Sequence, residues 1–76
     1  MSRYFFDFVS KHGCKYDYSG RVCPTLENAY RLAELIALDY AMDAEDAWTG
    51  STVNVRSPEG RQLFSITVQP SGLAVA

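Results

Sequence analysis

The sequence predicts an α+β fold of ββαββ order, an antiparallel four-stranded sheet with one long amphipathic helix packed on one face. Three observations carry this prediction. An alternating aromatic run opens the chain, a capped stretch of helical periodicity fills its middle, and two further alternating stretches around a Pro-Glu-Gly turn close it.

Arg3 to Ser10 is dense in aromatic and β-branched residues and runs into Lys11, His12 and Gly13, a polar group with a turn-former. Side chains alternate along a strand, so Tyr4, Phe6 and Phe8 share the face assigned to the core, while Arg3, Phe5, Asp7 and Val9 share the other. Lys15 to Val22 reads as a second, irregular strand, with Ser19-Gly20 as a bulge or bend. Pro24-Thr25 is a stop followed by a helix N-cap, because the Thr hydroxyl can accept from a first-turn amide and Glu27 suits the positive end of the dipole.

From Leu26 onward, Leu26, Ala29, Tyr30, Ala33, Ile36, Ala37 and Tyr40 fall in a stripe about 120° wide, the buried face of a helix. The helix is expected to end near Met42, since Asp43, Glu45 and Asp46 would oppose the negative end of its dipole. Asp43 is instead expected to cap a short turn from Ala44 to Trp48, with Asp46 completing a capping box. Thr52 to Arg56 and Gln62 to Val68 alternate around Ser57-Pro58-Glu59-Gly60, a type I turn signal, and form the second hairpin. The strand order 2-1-3-4 keeps every neighbour antiparallel. Residues 1–70 are expected to be one domain, and residues 71–76 a frayed tail without periodicity.

Net charge is −2, and the Lys and Arg residues form no run, which disfavours binding to a phosphate backbone. No stretch approaches the roughly 20 apolar residues of a membrane span. Met1 to Val9, interrupted by Arg3 and Asp7, is too short for a signal peptide, so the expected location is cytoplasmic. Cys14 and Cys23 would stand roughly 27 Å apart on an extended strand, far beyond disulfide reach, and are read as reduced thiols.

Chemistry-bearing constellations are weak. His12 lies among turn residues without the close Cys pair of a structural zinc site. Asp39, Asp43, Glu45 and Asp46 lack the ligand ladder of a calcium loop and read as a solvated acidic surface. No phosphate loop or nucleophile elbow occurs, so no catalytic residue, cofactor or metal is predicted.

Two apolar groups have no place in the predicted core. Leu35, Leu38 and Met42 fall at about 180°, 120° and 160° when Leu26 is set to zero, pointing away from the buried stripe. Phe5 and Val9 lie on the sheet face that a single helix leaves uncovered. A chain of this length is also marginally stable as a monomer. The expected function is therefore a small interaction module, non-catalytic, that forms a homodimer or takes another protein partner through Leu35, Leu38 and Met42 or through Phe5 and Val9. The alternative is a nucleic-acid-binding or antitoxin-like regulator.

The opening Met1-Ser2-Arg3-Tyr4-Phe5-Phe6-Asp7, the segment Gly20-x-x-x-Pro24-x-Leu26-Glu27-x-Ala29, and Gly60-Arg61-x-Leu63 resemble a family of short bacterial proteins of unknown function. Its members open Met-Pro-Arg-Tyr-Phe-Phe and start their helix at Leu-Pro-Asp-Leu-Glu-x-Ala. Ser2, Cys23 and Thr25 depart from that pattern. The resemblance implies a fold and no activity. Thr25-Leu26-Glu27-Asn28-Ala29 is also similar to the helix start of antitoxin domains with a partial ribonuclease-H-like fold.

Overall fold

The structure is a computed structural model that describes residues 2–42 and 48–69. Strand β1 (Ser2–Ser10) turns into β2 (Gly13–Lys15), and β3 (Arg21–Cys23) leads into helix α1 (Leu26–Ala41), followed by β4 (Thr52–Arg56) and β5 (Gln62–Thr67). All pairings are antiparallel and the order is β2-β1-β4-β5, with β3 also on β1. The α+β class and the predicted neighbours hold.

The strand count does not. The sequence reading placed one irregular strand over Lys15 to Val22, whereas the chain forms two short strands separated by residues 16–20. Phe8 stands opposite Lys15 and Tyr4 opposite Arg21, so four steps on β1 correspond to six on its neighbour. The two extra residues are absorbed where Asp17 replaces the missing ladder: its Oδ2 accepts from Phe6 N at 3.1 Å, and its Oδ1 from Ser19 N at 3.1 Å and Gly20 N at 3.0 Å. A side chain does there what a strand backbone does elsewhere.

Helix α1 starts as its residues require. Thr25 is extended, at φ −142°, and its hydroxyl accepts from Asn28 N at 3.1 Å. The helix closes where expected, with Met42 N donating to Leu38 O at 3.1 Å. Its seat on the sheet is a ridge of alanines: Ala29, Ala33, Ala37 and Ala41, each four residues apart, are all buried. Ala33, Ala37 and Ala41 meet Phe8, Val53, Val55 and Val68, with Phe6, Ile36, Tyr40, Trp48 and Phe64 around them. Phe8 stacks on Tyr40 with ring centres 3.8 Å apart, and Trp48 meets Phe8 edge-on at 5.5 Å.

This seat corrects the predicted stripe at one end. Leu26 and Tyr30 were assigned to the buried face, but they are 50% and 43% exposed. The alanine ridge seats α1 on the sheet, and while Ile36 and Tyr40 pack beside it on the core, Leu26 and Tyr30 at the N-terminal end stay largely in solvent. Tyr30 is held at the edge, against Phe64 at 5.2 Å. The predicted turn from Ala44 to Trp48 and the tail 71–76 lie wholly or largely outside the described residues.

The second hairpin turns as read, with Gly60 N donating to Ser57 O at 2.9 Å and Gly60 at φ +91°. Because Ala33 is fully buried under the helix, Ala33→Leu is expected to lift α1 from the sheet and cost about 1–3 kcal/mol, as overpacked cores do. Urea unfolding measures it; an unchanged midpoint would show that the ridge is not the close contact.

Candidate functional site

Two surfaces carry the residues singled out by the sequence. The first is the sheet face opposite α1, where Phe5, Asp7 and Val9 of β1 lie beside Thr52, Asn54 and Arg56 of β4. It is built around an ion pair that sequence reasoning missed. Asp7 is buried at 5% exposure, and its Oδ2 accepts from Arg56 Nε at 2.7 Å. Arg56 Nη2 reaches Asp7 Oδ1 at 3.3 Å and Asp17 O at 3.0 Å, while Asp17 N donates to Asp7 Oδ1 at 2.9 Å. The guanidinium also lies over the Phe5 ring, 4.8 Å from its centre.

Residues 16–20 thus fold over part of the face that a single helix leaves bare. Gly20 sits so close to β1 that an added Cβ would stand 2.9 Å from Arg3 Cγ and Tyr4 O and 3.0 Å from Phe5 Cε1. Its φ of +72° suits glycine alone. Phe5 and Val9 are consequently half-buried rather than bare. Phe5 is enclosed by Arg56 on one side and Gly20 on another.

The electrostatics follow from this geometry. Burial pushes the Asp17 carboxyl upward, but the three N–H donors from Gly20, Phe6 and Ser19, together with the Arg56 charge, outweigh it and hold the group below its ordinary value. Arg56 is raised further above its usual range, chiefly by its hydrogen bond to Asp7. Tyr16 is pushed up by its hydrogen bond with Cys14 on the exposed rim of the same face.

The second surface is the outer line of α1. Leu35, Leu38 and Met42, which the wheel sets on one side, are 59%, 53% and 71% exposed. Spacings of three, four and seven residues make them neighbours on the helix surface. The segment that follows α1, residues 44–51, lies partly outside the described residues. Of its described part, Trp48 packs on Phe8 and Tyr40, on the core side of the helix.

The other sequence candidates stay apart. His12 is exposed and meets the Trp48 ring edge-on at 6.2 Å. Cys14 is exposed and Cys23 buried, both as free thiols. Asp39 lies on the described helix, while Asp43, Glu45 and Asp46 fall outside the described residues. Among the described residues no group of three or more His, Cys, Asp or Glu side chains converges as a metal would need, and no helix is long and apolar enough to cross a membrane.

One helix on an antiparallel sheet, with a split edge strand, a buried Asp–Arg pair and an exposed apolar line on the outer helix face, defines a small α+β domain. The family described as Domain of unknown function (DUF6894) matches residues 3–69, and the chain belongs to it. No curated protein and no solved structure matches the chain.

Removing one member of a buried ion pair leaves an uncompensated charge, so Arg56→Gln is expected to cost about 3 kcal/mol. The double variant Asp7→Leu with Arg56→Leu should cost much less than the sum of its single changes, and a double-mutant cycle by urea unfolding tests this. Additive costs would mean that the pair is not coupled. The Asp17 shift carries a sign as well. A depressed folded pKa contributes stability that is full above the unfolded value, about 3.9, and is lost as pH falls through the lower folded value. Asp17→Asn should therefore flatten the loss of melting temperature below about pH 4, because its side chain has no proton to gain in that range.

Proposed function

We propose that this protein is a small cytoplasmic interaction module that self-associates through the outer face of α1. The observation that carries the reading is the exposed line Leu35, Leu38 and Met42, three large apolar side chains that neighbour one another on the helix surface. Marginal monomer stability at this length supports the same reading, since burial of the patch in a second copy adds apolar area that one chain cannot supply.

Between the two surfaces considered from sequence, the helix line is favoured over Phe5 and Val9. Phe5 already has Arg56 over its ring, and the residues beside it are charged or polar. The same observation weighs against the nucleic-acid alternative, because a base-stacking platform needs an accessible ring face. Arg3 Nη1 is engaged with Ser19 O at 2.7 Å, and Arg56 with Asp7, so two of the cations already have partners within the chain. No measurable RNA or DNA affinity is expected at physiological salt.

Light scattering over a concentration series is expected to move from the 8.5 kDa chain towards twice that mass in the micromolar range. Leu35→Glu with Leu38→Glu should abolish this shift, because carboxylates desolvated in the contact without partners cost several kcal/mol. The fold should survive, since both side chains point to solvent in the single chain. A wild-type protein that stays a monomer at every concentration, with a concentration-independent melting temperature, would falsify the reading.

A further inference from the structure

Resting on the self-association just proposed, we infer that the partner is a second copy of this chain whose α1 lies antiparallel across the first, with Leu35 at the two-fold axis and Arg31 of each copy paired to Asp39 of the other. The pattern is in the outer face itself. Arg31, Leu35 and Asp39 are spaced four apart and form one ridge, with Arg31 and Asp39 about 40° to either side of Leu35, one turn before and one turn after it. The next ridge is Glu34, Leu38 and Met42. Packing four-spaced ridges into four-spaced grooves is the commonest contact between helices and crosses them at about −50°. It seats the ridge of a second copy in the groove between these two, with Leu35 against Leu35 and Leu38.

Charge then selects the direction. With the copies antiparallel and centred on Leu35, the cation four residues before the axis meets the anion four residues after it, twice by symmetry. A parallel pair would instead set Arg31 against Arg31, Asp39 against Asp39, and the two helix dipoles side by side in the same sense.

Each charge has room for this role. Asp39 lies in the last turns of α1, where the dipole disfavours an anion and no basic residue is present, and it has no ion-pair partner among the described residues. Among the described residues Arg31 is paired with Glu27, 3.1 Å away, with both side chains about seven-tenths exposed, a pair weak enough to be shared or exchanged. Leu35 is near the middle of the 16-residue helix, so a crossing centred there has helix on both sides of it.

A contact made by one helix from each copy is smaller than the standard interface of roughly 800 Å² per partner, and the dimer is expected to be a weak, exchanging one.

The test is a charge-reversal cycle read by sedimentation equilibrium. Asp39→Arg and Arg31→Asp, made singly, each juxtapose like charges and are expected to weaken association at least about tenfold; the two together restore opposite pairs and should return it to within about threefold of wild type. Circular dichroism melts at low concentration confirm that each variant folds. Independently, Leu35→Cys in a Cys14→Ser background should form an intermolecular disulfide under mild oxidation, while Asn28→Cys, far from the axis, should not. A wild-type dimer that ignores both reversals, or that cross-links at residue 28 and not at 35, overturns the antiparallel geometry and leaves self-association standing. A wild-type chain that stays monomeric overturns both.

Discussion

The contact between Asp7 and Arg56 is the one on which the rest of this fold hangs. It joins two neighbouring strands, β1 and β4, on the side that has no helix, and through Asp17 it fastens the residues that link β2 to β3. A sheet with one helix has one face to bury and one to leave in water. Here the second face is closed in part by a charged network rather than by a second apolar layer. Such a network is stable only when every member is satisfied. That condition is met: the buried carboxylate takes bonds from Arg56 and from the Asp17 amide, and the Asp17 carboxylate in turn takes three backbone donors.

The opposite face follows different rules. Its closeness comes from alanine, whose small side chain lets α1 approach β4 and β5, while bulk is supplied from the sheet and the helix flanks by Phe8, Tyr40, Trp48 and Phe64. The split edge strand and the close helix are linked through β1. Its even-numbered residues feed the core, and its odd-numbered ones feed the ion network, so a register slip of one residue would place Asp7 under the helix and Phe8 in the charged layer. The alternation is therefore held from both sides at once.

This division explains what was legible in the sequence. Periodicity and caps locate α1 to the residue at its start, because Thr25 and the alanine spacing act locally. The second hairpin is equally plain, since Pro58 and Gly60 satisfy their turn without help from distant residues. The break between β2 and β3 was not legible. It depends on Asp17 reaching Phe6, eleven positions away, and on Arg56, thirty-nine away. The one available signal was Asp7 itself, a charge between two phenylalanines in an apolar strand, which needs a partner wherever it is buried. The exposure of Leu26 and Tyr30 was also hidden, since a helical wheel shows direction but not how much of the stripe packs on the core. Of the candidate interface, the outward direction of Leu35, Leu38 and Met42 was readable from the wheel alone, whereas the enclosure of Phe5 required the fold.

The two faces differ in what they leave free. On the network side, Asp7, Asp17 and Arg56 are bound to one another, and moving one disturbs the others. On the outer side of α1, Leu35, Leu38 and Met42 contribute little to holding the single chain together, because more than half of each is exposed to solvent. Stability therefore gives no reason for those positions to be apolar; polar residues of good helix propensity, such as Glu, Lys or Gln, would serve the isolated domain at least as well. The self-association proposed above would use this surface, which is set on a helix seated by alanines on a sheet whose other face is fastened by charge.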